Sequence, residues 1–107
     1  MKYTAFLGVR FEPEWFVMSS SERDAFEAEH LFPILGKHAQ FLEIRPFRAS
    51  AFGTRHTNFF LVQFDDVEEY SGLIESLSES PLMSRRYVTI TDNHIGIEEK
   101  YHADRDA

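Results

Sequence analysis

At 107 residues, 43% hydrophobic and 15% aromatic, the chain has room for one well-formed core, and residues 1–107 are expected to form a single domain. The absence of cysteine excludes disulfides, thiolate nucleophiles and thiolate metal sites, and suits a cytoplasmic setting. A formal net charge of −7 opposes nucleic acid and anionic membrane surfaces, which repel such a chain at long range.

The segment Met1 to Arg10 is short for a secretion signal and lacks a small-residue cleavage site. No stretch approaches the roughly 20 apolar residues that span a bilayer, so the chain reads as soluble, non-secreted and without a membrane partner. Lys2 to Arg10 is instead a strand, ended by Glu12-Pro13-Glu14. Trp15, Phe16, Val17 and Met18 form an apolar lead-in, and Ser19 with Glu22 three residues on is a capping box that opens a helix. Phe26, His30 and Ile34 recur at four-residue spacing and give that helix its core-facing stripe. Pro33 is expected to kink the last turns, and Gly36 to stop them.

A second strand covers about Phe41 to Phe47, with Pro46 marking a sheet edge because proline donates nothing to a ladder. Ala49 to His56, with Gly53, makes the turn into a third strand, Phe59 to Phe64, apolar almost without interruption. Asp66 with Glu69 resembles a second capping box, and the helix it opens carries Val67, Tyr70, Leu73, Ile74 and Leu77 on one stripe before Pro81 closes it. A fourth strand, about Arg86 to His94, alternates Val88 and Ile90 with Thr89 and Thr91, and a charged tail follows Ile97.

This β-α-β-β-α-β order predicts an α+β, ferredoxin-like fold: a four-stranded antiparallel sheet, strands 1 and 3 central, both helices on one face. Helices on one face leave the other to water, yet strands 1 and 3 are apolar on both sides. Phe6 opposes Tyr3, Ala5 and Leu7, while Phe59 and Leu61 oppose Phe60, Val62 and Phe64. A second copy stacked on that open face is the simplest cover, which predicts a homodimer of the α+β barrel type.

Tyr3-Thr4-Ala5-Phe6, Pro13-Glu14-Trp15, Ser21 to Phe26, His30 with Pro33-Ile34-Leu35, and Ala51 to Arg55 together resemble the darcynin family of small bacterial proteins. Glu69-Tyr70, Leu73-Ile74-Glu75 and Ser80-Pro81 extend the likeness over almost the whole chain. The resemblance implies the dimeric α+β barrel fold and no established activity. The spacing of Trp15, Glu22-Arg23 and His30 is also similar to other α+β barrel families, some of which bind haem or act as cofactor-free oxygenases. That similarity of fold assigns no chemistry, and no cofactor is expected.

Among single residues, His30 stands out, since an imidazole on an apolar stripe must find a partner. It is either a satisfied core or rim histidine or a candidate acid, base or ligand. Glu27-Ala28-Glu29-His30 contains the Glu-x-x-His pattern of di-iron sites, but such sites need two copies on a helix bundle, so no metal is expected. Lys37, Arg45, Arg48 and Arg55 make a locally basic segment in an acidic chain. Arg45, Arg55 and His56, with Glu43, Tyr70 and Tyr87, are candidates to rim a cavity and hold an anionic or phenolic ligand, or to form ion pairs across a dimer. Trp15 is either packing at the helix entrance or a pocket wall. Asn58 to Phe64 is superficially close to an RNA-recognition strand, but it lacks that motif's glycine and basic lead residue, and no nucleic-acid partner is expected. The functional expectation is a dimer that binds a small, partly apolar or anionic molecule between sheet and helices. The alternative is a cofactor-free oxygenase or isomerase for a small aromatic compound, with His30 and Arg55 as polar participants.

Overall fold

The computed structural model describes residues 1–49, 52 and 55–99. Their elements follow in chain order: β1 (Tyr3–Phe11), α1 (Pro13–Val17), α2 (Ser20–His30), α3 (Phe32–His38), β2 (Leu42–Arg48), β3 (Asn58–Phe64), α4 (Val67–Glu79), α5 (Pro81–Ser84) and β4 (Val88–Gly96). The strands form one antiparallel sheet in the order β2-β3-β1-β4, so β1 and β3 are central and Pro46 lies on an edge strand. This is the expected ferredoxin-like arrangement, with α1, α3 and α5 as additions.

Local chemistry explains where the helices begin. The Ser19 hydroxyl accepts the Glu22 N–H at 3.2 Å while the Glu22 carboxylate accepts the Ser19 N–H at 3.0 Å, closing the capping box. Asp66 caps α4 by accepting from the Glu68 N–H at 2.9 Å, so the reciprocal arrangement expected with Glu69 is replaced by a simpler cap. The apolar lead-in is itself a short helix, α1, with Pro13 in its first turn.

Two expectations in this region are corrected. Pro33 does not kink a continuous helix: the chain breaks at Leu31, and Pro33 falls in the first turn of α3, where no N–H is needed. Gly36 does not stop the helix but lies inside α3, which runs to His38, and no glycine among the described residues has the positive φ of a helix stop. Pro81 closes α4 and opens α5. The expected glycine of the β2–β3 turn, Gly53, and the tail from residue 100 lie outside the described residues.

Side chains alternate across the sheet. Ala5, Leu7 and Val9 of β1, with Val62 and Phe64 of β3, are buried beneath Phe26, Tyr70, Leu73 and Leu77 of the helices. His38, buried on α3, reaches Ser76 of α4 at 3.0 Å and ties the two helices together. The opposite face bears Phe6, Phe59 and Phe47 in a stacked row, with ring centroids 5.1 and 4.9 Å apart. No helix among the described residues is long and apolar enough to cross a membrane.

Candidate functional site

On the helix side two hollows share a wall. One is a small, partly enclosed cavity of about 40 Å³ whose lining, including Leu7, Val62, Leu73, Val88 and Ile90, is entirely apolar. It is small beside the roughly 150 Å³ that admits a benzene-sized guest. The other is an open cleft of about 890 Å³ between the sheet and α1, α2 and α3. Phe11, Leu31, Leu35, Ile44 and Phe60 line both, so the cleft backs onto the apolar interior.

The cleft is walled by aromatic residues held by one another. Trp15, carried on α1, packs against Phe11 at 5.1 Å and edge-on to Phe26 and Tyr87, both at 5.8 Å. Arg23 donates to the Met18 carbonyl at 3.2 Å and the Ser20 hydroxyl at 3.3 Å, and lies over the Phe16 ring, so it fastens α2 to α1. Glu27 faces the same space; burial, aided by Asp24 and opposed by Arg23, raises its pKa above the ordinary carboxylate value. Across the cleft, Arg48 of β2 stands opposite Asn58 of β3, and the neighbouring Thr57 hydroxyl accepts the Phe11 N–H at 2.9 Å.

The face away from the helices carries a polar cluster on β4 and the β2–β3 hairpin. Asp92 pairs with Arg55 Nε at 3.2 Å, His94 Nε2 at 2.7 Å and His56 Nε2 at 3.6 Å. His56 Nδ1 meets the Thr91 hydroxyl, Arg55 also donates to the Thr91 carbonyl at 3.2 Å, and the imidazole packs edgewise on Phe6. It lies directly over Gly8, where a Cβ would come within 2.6 Å of Nδ1. No group of three or more ligating side chains among the described residues has the geometry to hold a metal ion.

The residues singled out in the sequence therefore divide among four places. Trp15 is a wall of the cleft. Arg45 is exposed over the Phe47 ring, and Arg55 and His56 gather on Asp92, all on the helix-free face. Tyr70 is in the core, its ring stacked 4.9 Å from that of Phe64 and its hydroxyl donating to Asn93 Oδ1 at 2.6 Å; burial pushes its pKa up to about 12. His30 is half-buried on α2 against Phe26 with Glu29 3.6 Å away, and lines neither hollow. His30 and Arg55, paired in the oxygenase or isomerase reading, thus stand on opposite sides of the sheet. Asp92 and Thr91, which organise the polar cluster, and Arg48 with Asn58, which face the cleft, were not visible as groups. Gly8, a glycine inside a strand, is the one feature of the sequence that could have pointed to the close approach of His56.

Comparison with known proteins places this architecture. The solved chlorite dismutase from Candidatus Nitrospira defluvii in complex with imidazole superposes with a TM-score of 0.81 at 12% identity, over 98% of this chain and 43% of that one. A putative chlorite dismutase gives a TM-score of 0.75 at 17% identity, over 91% and 45%. The chain thus spans less than half the length of these proteins, and the likeness shows the fold alone: a four-stranded antiparallel, ferredoxin-like α+β architecture. In sequence, a Darcynin homolog of Granulibacter bethesdensis is 33% identical over 98 residues, 92% of this chain and 78% of that protein. One of Streptomyces avermitilis is 30% identical over 99 residues, 92% and 80%. The family described as "Darcynin, domain of unknown function" matches residues 1–106. The chain belongs to the Darcynin family.

Proposed function

We propose that the protein is a cytoplasmic homodimer that binds a small, partly apolar molecule in the cleft between the sheet and α1 to α3. The observation that carries this reading is the cleft itself: about 890 Å³, walled by aromatic side chains and open to solvent. Phe16 and Phe32 on its wall are 58% and 53% exposed, apolar surface that a guest would take out of water. A second copy stacked on the Phe6–Phe59–Phe47 face leaves the cleft, on the other side of the sheet, free to work.

Trp15 is the one tryptophan of the chain and lines the cleft, so its fluorescence reports occupancy directly. Titration with 3-phenylpropanol, a neutral aromatic probe, is expected to give a saturable change and a rise in melting temperature. Gly36 borders the cleft with open space where a Cβ would stand, and Gly36→Leu is expected to weaken that binding while the fold persists. Linear, non-saturating responses of the wild-type protein to both this alcohol and its carboxylate analogue, 3-phenylpropanoate, would rule the cleft out as a binding site.

A further inference from the structure

Resting on the cleft reading above, we infer that its guest is a monocarboxylate, its acid group held by Arg48 and its apolar body lying along Phe60 and Ile44. The strand register supplies the order of groups. On the helix side of the β2–β3 pair, Arg48 stands opposite Asn58, Pro46 opposite Phe60, and Ile44 opposite Val62. One end of the cleft is thus cationic and hydrogen-bonding, and two rows further in the same surface is wholly apolar and shares its lining with the small cavity. At about 3.3 Å per residue those rows span roughly 13 Å, the length of an arginine head group plus an aryl or short acyl acid.

The charges select the head group. Arg10 is paired with Glu12, Arg55 with Asp92, and Arg23 is held by Met18 and Ser20. Arg48 faces the cleft with no ion-pair or hydrogen-bond partner among the described residues, and its guanidinium is free to offer a planar fork. Asn58 adds an amide and Thr57 a hydroxyl whose proton is not used in accepting the Phe11 N–H. One fork and two neutral donors match a planar monoanion. A dianionic phosphate would meet the Glu27 carboxyl across the cleft and a chain of net charge −7.

The test compares 3-phenylpropanoate with 3-phenylpropanol, which share a phenylethyl body and a three-carbon chain, using Trp15 fluorescence on the wild type and on Arg48→Gln. The expected result is a preference of about tenfold for the carboxylate in the wild type, a charge-assisted bidentate pair being worth about that much. Arg48→Gln, at an exposed position, is expected to bring the affinity for the carboxylate down to the level of the alcohol and so abolish the preference. Equal wild-type affinities, or a preference that survives Arg48→Gln, overturn the assignment while leaving the cleft as a binding site. Binding of neither probe overturns both readings together.

Discussion

Gly8 lacks a side chain where one would collide with His56. A Cβ there would lie 2.6 Å from Nδ1 and 2.7 Å from Cε1 of a ring already fixed by Thr91, Asp92 and Phe6. Gly8→Ala should displace that ring and lower stability by about 1–3 kcal/mol in urea unfolding, the usual cost of overpacking. In His56→Ala the same substitution should cost much less, and a double-mutant cycle that returns additive energies would dismiss the contact as the cause. Tyr70 gives a prediction in alkali. Burial raises its pKa from 10.0 to about 12, so below pH 10 folded and unfolded chains both keep the proton. Between pH 10 and 12 the unfolded chain loses it first, and stability should fall by roughly 2 kcal/mol as pH rises through that window. Tyr70→Phe should remove this slope relative to the wild type, while costing about 1 kcal/mol at neutral pH through the lost bond to Asn93. The apolar stripe of α4 made Tyr70 legible as an inward-facing residue. Its distance from Arg55 and His56 was not legible, because a helical stripe does not say which side of the sheet a distant hairpin turns its basic groups toward.

At the level of elements, the caps were the most readable signals because each depends on chemistry within a few residues. Ser19→Ala removes one half of the capping box and should cost about 1 kcal/mol in thermal or urea unfolding. Glu22, the other half, has its pKa lowered first by the Ser19 backbone N–H and then by the Ser19 hydroxyl. Its contribution is present above the unfolded carboxylate value and is lost as pH falls through the lower, folded one. The break at Leu31 was not readable, since neither glycine nor proline marks it and Pro33 suits a first turn as well as a kink. Gly36 misled for a related reason: glycine suits a helix end, but here it sits in the middle of α3 with nothing within 4 Å of its missing Cβ. Gly36→Ala should therefore raise stability by about 0.5–1 kcal/mol, read as a higher urea midpoint; a lower midpoint would show that the glycine backbone is needed.

Across the whole molecule the sheet carries apolar side chains on both faces, and only one face is covered by the chain's own helices. Strand alternation disclosed this in the sequence, since Phe6 and Phe59 cannot share a side with Leu7 and Phe60. The cleft was less legible, because its walls come from β1, α1, α2, α3, β2 and β3 at once and no local pattern records that convergence. If a second copy covers the open face, size-exclusion chromatography with light scattering should return twice the chain mass of 12.5 kDa at micromolar concentration. Phe59→Glu, at the middle of the stacked row, should give a folded species of single mass, and a wild-type monomer would refute the arrangement. Pro46 bears on how far such association can go. It brings a pyrrolidine ring, and no amide proton, to the edge strand β2, where an incoming extended segment would need regularly spaced donors. Growth by strand addition at that margin is thereby discouraged, so contact through the helix-free face can end at two copies and need not run on into a fibre.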